Sequence, residues 1–308
     1  MDSVLVGQSP SASSRVIVVP DPQYAVAAET SIFHDQISWI IARAPTLVVF
    51  VGDLNDGGGI YWTNWPCVQL EFGRLTAAGI PWMVSLGNHD YLPLADRTTS
   101  VNSYLSIPPG VTPWLAGHLE NSYRTISLSG RTWLVLCLEW SPRTAVVAWA
   151  NSVAALYPTV PVLLVTHCYL YRDGTRYNWA VYGDAQESSP HSAFYSLITT
   201  PAEGINDGEE LWTGLVRDNE NIRLVMCGHC VAPTPYFPQT TFATETRLSG
   251  TKCHQLRNDY QSEAPFGGGW LVEYTFDEVN HSLYARTYSP YWGTEKTFDA
   301  NNFYLPMP

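Results

Sequence analysis

The sequence predicts an α/β fold organised around a parallel sheet, and three observations carry that prediction. Short β-branched runs alternate with stretches of helical spacing through the first ninety residues. The runs are apolar from end to end, as strands covered on both faces are. The chain has 308 residues, 45% of them hydrophobic, so it can bury a core large enough for such a sheet.

Residues 1–14 are rich in serine and other small side chains and read as a flexible N-terminal tail. Residues 15–20 (RVIVVP) form a short buried strand. Residues 30–44 carry Ile32, Phe33, Ile37, Trp39, Ile40 and Ile41 at helical spacing, and Pro45 ends that helix. Residues 46–51 (TLVVFV) are the next strand, 67–78 the next helix and 80–86 (IPWMVSL) a third strand. This order argues for a parallel sheet covered on both faces. Residues 91–121, with Pro93, Pro108, Pro109 and Pro113, are a long excursion.

The pattern then changes. Residues 122–128 and 132–139 flank Ser-Gly-Arg, a hairpin signal. A helix over 144–156 and a strand over 162–166 follow, then a polar, aromatic loop over 168–190. Helices are expected over 191–198 and 209–219, and a strand over 222–227 (IRLVMC). Residues 240–248, 269–276 and 282–288 read as C-terminal antiparallel strands, with turns at Ser249-Gly250 and 277–280. No repeat or linker interrupts the chain, so residues 15–308 are expected to form a single domain.

Composition narrows the function. The formal net charge is −12 and lysine is almost absent, so a long nucleic acid would be repelled. A small anionic substrate held by metal ions remains compatible, because the ions invert the local charge. No apolar run is long enough to span a bilayer, so no membrane association is expected. No signal peptide is visible at the N-terminus. The cysteines show no disulfide-scaffold spacing, and Cys137 and Cys227 sit inside apolar strands. A reducing, cytoplasmic setting is therefore expected, although a secreted protein that has been processed would read the same way.

Five apolar strands each run into a residue able to bind metal. VIVVP leads to Asp21, VVFVG to Asp53, WMVSLG to Asn88-His89-Asp90, VLLVT to His167 and LVMCG to His229. Ligands of open α/β sheets bind outside the carboxyl ends of the strands. Taken singly, an Asp after a strand is an ordinary turn or cap, and a lone His an ordinary structural residue. Jointly, the five crossings deliver their ligands to one edge.

The order Asp21-x-Gln23, Gly52-Asp53, Gly87-Asn88-His89-Asp90, His167 and Gly228-His229 resembles the calcineurin-like metallophosphoesterase superfamily. Gly87-Asn88-His89-Asp90 is its most specific piece. Residues 121–143 and 285–292 are similar to bacterial members whose first motif is Asp-x-Gln. The resemblance implies a four-layer α/β/β/α sandwich and a site for one or two divalent ions (Mn, Fe or Zn). Asp53 would bridge the ions, Asn88, His167 and His229 would complete the second ion's shell, and Asp21 and Gln23 would serve the first. His89 would protonate the leaving oxygen, with Asp90 orienting its ring. Two ions about 3.5–4 Å apart can clamp the attacking and leaving oxygens of an in-line displacement, with a hydroxide held by the ions as nucleophile.

Two departures fall on the first ion's shell. The superfamily has Asp-x-His where this chain has Gln23, and Gly-His-x-His where this chain has Val231. One firmly held ion and one weak or absent ion are therefore expected. The alternative reading follows from the same departures: a catalytically weakened module kept for binding or structure in a larger assembly.

Other residues have two readings each. Asp56 either anchors its loop or bonds a ligand. Arg143 either binds a substrate phosphate or pairs with Glu139. Tyr169 and Arg176, with Tyr171 and Arg172, either line a substrate pocket or pack the loop on itself. His34, His118, His191, His254 and His281 lack companions at metal spacing and are expected to be structural. The substrate is expected to be small and phosphorylated, a nucleotide among the candidates.

Overall fold

The computed structural model describes residues 13–57, 63–91, 97–195, 203–232, 238–297 and 301–307. The first half runs β1 (Ser14–Val19), α1 (Gln23–Ala28), α2 (Thr30–Arg43), β2 (Leu47–Phe50), α3 (Trp65–Ala77), β3 (Trp82–Val84), α4 (Val101–Tyr104), β4 (Thr112–Pro113), β5 (Ser122–Leu128), β6 (Arg131–Cys137) and α5 (Thr144–Leu156). The second half runs β7 (Val162–Val165), α6 (Trp179–Tyr182), α7 (Gly208–Leu211), β8 (Ile222–Cys227), β9 (Thr240–Thr246), β10 (Lys252–Asn258), β11 (Leu271–Asp277), β12 (Ser282–Ser289), β13 (Thr294–Lys296) and β14 (Asn302–Pro306).

Among the described residues the strands form two sheets, in the orders β13-β12-β11-β1-β2-β3, with β14 beside β12, and β4-β5-β6-β7-β8-β10-β9. The segment β1-β2-β3 is parallel, as is β6-β7-β8-β10. The sheets pack face to face. Val16, Val18, Leu47, Val49, Val272 and Tyr274 of the first meet Trp133, Val135, Leu163, Val165, Leu224 and Met226 of the second. Ile17, Val19, Val48 and Phe50 turn the other way, onto Ile32, Phe33 and Ile37 of α2 and Val68 and Phe72 of α3. Leu134, Leu136, Val162 and Leu164 likewise pack on Val146, Ala150 and Val153 of α5. The result is the four-layer α/β/β/α sandwich. Each sheet therefore has helices on one face only. Its end-to-end apolar strands arise because the second cover is the other sheet, not more helices.

Local chemistry explains the element ends. Helix α2 buries Ile32, Phe33, Gln36, Ile37 and Ile40 along one stripe and stops at Ala44, whose φ of 47° is left-handed. Helix α3 begins at Trp65, ahead of the expected 67, because Asn64 accepts a hydrogen bond from the Cys67 amide and Pro66 suits a first turn. Of the helix expected over 191–198, a 3-10 turn at Ala193–Tyr195 is described, and 196–202 lie outside the described residues. The helix expected over 209–219 is α7 continued by a π-helical turn, Trp212–Val216. Residues 1–12 of the expected tail lie outside the described residues, while Ser14 opens β1. The six cysteines are free. No described helix is long and apolar enough to cross a membrane.

Strand β10 is absent from the sequence reading. Its residues KCHQLRN offer only Cys253 and Leu256 as apolar side chains, yet all but Lys252 are buried. Polar partners stand in for apolar contacts. His254 bonds Thr244 Oγ1 and the Pro306 carbonyl, and the Arg257 guanidinium donates to the carbonyls of Cys230 and Pro238.

The interface between sheets sets the stability. Leu224 is fully buried there. Leu224→Ala is expected to cost about 2–5 kcal/mol from lost transfer energy and the cavity left behind. Urea unfolding of metal-free protein should show a lower midpoint at unchanged slope.

Candidate metal centre

The ends of β1, β2 and β3 and those of β7, β8 and β10 come together at one edge of the sandwich. Asp21 follows β1, Asp53 follows β2 and Asn88 follows β3, while His167 follows β7 and His229 follows β8. Contacts between the two groups are direct: the His229 amide donates to Asp21 Oδ1 at 2.9 Å, and His167 Nε2 lies 3.3 Å from Asp53 Oδ1. Asp21, Asp53 and His229 have φ of 43°, 51° and 69°. Left-handed backbone at a non-glycine residue costs on the order of 1–3 kcal/mol and gathers at functional sites. Gly87 keeps the centre open, since a Cβ there would strike the Asp53 carboxylate and reach within 2.7 Å of its Cγ.

Both imidazoles are held from behind. His167 Nδ1 lies 2.8 Å from the Val51 carbonyl, and His229 Nε2 lies 2.8 Å from the Ser188 carbonyl. A carbonyl only accepts, so each of these nitrogens carries the ring proton. The opposite nitrogens, His167 Nε2 and His229 Nδ1, then present lone pairs. They face each other at 3.2 Å, and Asn88 Oδ1 lies 3.1 and 2.9 Å from them. Donor atoms bound to one ion at about 2.0–2.2 Å sit roughly 3–3.5 Å apart. Three acceptors thus converge with no proton between them, with Asp53 Oδ1 3.3 Å from His167 Nε2, and a cation fits that arrangement.

Asp53 lies between two halves. Its Oδ1 is on the imidazole side and its Oδ2 accepts from Gln23 Nε2 at 3.2 Å. One carboxylate oxygen each from Asp21 and Asp53 and one ring nitrogen of His167 lie within 4.8 Å of one another. On the Gln23 side, Asp21 Oδ2 and Gln23 Oε1 are buried with no hydrogen-bond partner. Such orphaned oxygens also suit a cation.

The electrostatics differ between the halves. Burial opposes the charge on Asp53, yet His167 and His89 outweigh it and hold its carboxyl below the usual range. Burial, then His167, drives His229 down to about 3, so its ring is neutral. Asp21 is pushed well above the usual carboxylate range by burial, then by Asp259 and Asp53. The Asp53 carboxyl is thus held down and the Asp21 carboxyl pushed up.

His89 stands apart from the converging donors. Its amide donates to Asp53 Oδ1 at 2.9 Å, and its ring Nδ1 pairs with Asp56 Oδ1 at 2.8 Å. Burial works against its charge, but Asp53 and Asp56 raise its pKa to about 9. This corrects the role expected for Asp90. The Asp90 carboxylate accepts from the amides of Gly87 and Asn55, so it shapes the loop that carries His89. The ring partner is Asp56, fully buried on the loop after β2.

The expected substrate-binding residues each have pairing or packing partners of their own. Arg143 pairs with Glu139 through two bonds of 2.8 Å. Tyr169 is fully buried in the core between the second sheet and its helices. Arg176 is paired with Glu209 and Glu245, and its guanidinium lies over the Trp212 ring. His191, expected to lack companions, has ligand atoms of Asp207 and Glu210 within 4.8 Å. Asp207 is there a helix cap, accepting from the amides of Glu209, Glu210 and Trp179.

Back-to-back sheets under helices, with carboxylate, amide and imidazole donors gathered at their strand ends, define the metallophosphoesterase class. The chain belongs to the calcineurin-like phosphoesterase family, whose model matches residues 14–233. It is 25% identical over 294 residues to the uncharacterized protein YvnB of Bacillus subtilis, a match covering 92% of this chain and 20% of that protein. The chain thus spans about a fifth of that relative's length. In fold it is similar to a dimetal phosphatase from Danio rerio, with a TM-score of 0.56 and 11% identity over 97% of this chain and 100% of that one.

Proposed function

We propose that this chain hydrolyses a small phosphomonoester or phosphodiester with the help of divalent metal ions. One observation carries the reading: the lone pairs of His167 Nε2 and His229 Nδ1, with Asn88 Oδ1 beside them, face one another within 3.2 Å. No folding requirement explains three converging acceptors, whereas a cation does.

Divalent ions bound there supply Lewis acidity toward phosphoryl oxygens and lower the pKa of water. The chain's own residues do the rest. Val51 and Ser188 fix the two imidazole tautomers. Asp53 joins the two halves of the centre. His89, its Nδ1 held by Asp56, keeps a proton on Nε2 and delivers it to the leaving oxygen. The weakened-module reading loses support from this arrangement, since a scaffold has no use for an imidazolium held by a buried carboxylate.

The test starts from chelator-stripped protein. Added Mn, Fe or Zn is expected to raise the melting temperature by several degrees, because a hundredfold excess over Kd stabilises by about 2.7 kcal/mol. Hydrolysis of an aryl phosphate or a bis-aryl phosphate should appear only with metal, and the preferred substrate separates monoesterase from diesterase. Metal binding without turnover on either substrate across the metal panel would count against hydrolysis.

A further inference from the structure

Strand β10 delivers a carboxylate that no motif announced. It runs parallel to β8 with Arg257 opposite Cys227, so Asp259 leaves β10 at the level where His229 leaves β8. Asp259 is 1% exposed. Its Oδ1 accepts from the Gln261 amide at 2.9 Å, while its Oδ2 is buried with no hydrogen-bond partner. The guanidinium of Arg257, two residues back, gives its hydrogen bonds to Cys230 O, Pro238 O and Thr241 Oγ1.

The turn after β10 is tied to the depleted half of the metal centre. Gln23 Nε2 donates to Gln261 Oε1 at 2.9 Å and to Asp53 Oδ2 at 3.2 Å. The turn that carries Asp259 is thus linked through Gln261 and Gln23 to Asp53, and Asp259 Oδ2, Asp21 Oδ2 and Gln23 Oε1 are all buried without a hydrogen-bond partner.

We propose that Asp259 is a ligand of the first metal position, supplying the donor that Val231 cannot. The inference rests on the metal-centre reading above. It also alters the character of that position. With Asp21, Asp53, Asp259 and Gln23, the first position offers oxygen donors throughout, whereas the second mixes imidazole with oxygen. Oxygen donors favour Mn or Mg, and imidazole suits Zn. The loss of the histidines thus exchanges a nitrogen-containing site for a hard, anionic one. Three carboxylates around one dication also keep the ion held although Gln23 is neutral.

The test is Mn titration of the stripped full chain by calorimetry, with electron paramagnetic resonance of the loaded protein. The wild type should bind two Mn ions and show the broadened signal of a coupled pair. Asp259→Asn preserves shape and should keep one ion at wild-type affinity while the other weakens about 10–100-fold, the scale set by loss of metal-supporting groups. Its spectrum should become that of isolated Mn. Should Asp259→Asn not fold by circular dichroism, Asp259→Glu, which keeps the charge but moves the oxygen, should weaken the same ion selectively. Two ions of wild-type affinity in a folded variant would overturn the proposal, and so would a wild type that binds only one. Either result leaves the metal-centre reading standing, whereas a wild type binding no ion overturns both.

Discussion

Asp53→Asn is expected to lower kcat by about three orders of magnitude under saturating Mn and to strip the purified protein of metal. Asp53 is the carboxylate shared by the two halves, with Oδ1 toward His167 and Oδ2 toward Gln23. Asparagine keeps the shape and can still accept from the His89 amide, so position is preserved and charge is lost. An amide nitrogen would also meet Gln23 Nε2, donor against donor. Lewis-acid stabilisation of a phosphoryl transfer is worth several kcal/mol, and each 1.36 kcal/mol is tenfold in rate. Loss of the shared anion should remove most of that term. Asp53 is drawn both ways in the metal-free state, because against its burial its charge is held by His167 and His89 while it repels other carboxylates. It contributes to pushing both Asp21 and Asp90 above the usual carboxylate range, after burial in each case. Melting of the stripped variant beside the stripped wild type therefore separates a loss of fold from a loss of metal. Metal content by mass spectrometry and kcat settle the matter: wild-type metal and a rate within tenfold would rule out the bridging role.

The five strand ends were legible because each obeys a rule that acts locally. An apolar run must be a buried strand, and a polar residue closing it must sit at the sheet's edge. That logic found Asp21, Asp53, Asn88, His167 and His229, and it called for a cover on each face of the sheet without saying which, since a facing sheet and a helix layer demand the same apolar strand. It failed for β10, where burial is sustained by His254, Gln255, Arg257 and Asn258 bonded to neighbours far along the chain. No window of residues 252–258 carries that information, so Asp259 had no strand to stand on. Asp56 failed differently. It was noticed, but two carboxylates flank His89 in the motifs, and only three-dimensional placement shows that Asp90 turns to the backbone amides while Asp56 meets the ring. Arg143 needed no long-range contact at all. Its partner Glu139 lies four residues away, so the pairing was one of the readings open from the sequence.

His89→Ala is expected to lower kcat by about 10²–10⁴, the usual contribution of a positioned proton donor, with metal content unchanged. The ring touches Asp56 and not the converging donors, so its removal leaves both ion positions intact. The sharper expectation concerns the leaving group. A nitrophenolate departs without needing a proton, whereas an alkoxide cannot. The variant should therefore lose far less rate on a nitrophenyl ester than on an alkyl ester of the same acid. Asp56→Asn should reproduce that pattern in weaker form, about 10–100-fold, because the amide still holds Nδ1 but no longer stabilises the imidazolium. Asp90→Asn should not reproduce it. Its carboxylate braces the Gly87 and Asn55 amides, so the loss should fall equally on good and poor leaving groups. A His89→Ala variant equally impaired on both esters would move His89 from proton donor to electrostatic stabiliser of the phosphoryl group. The Asp56 contact would then serve to keep a positive charge in place rather than to present a proton.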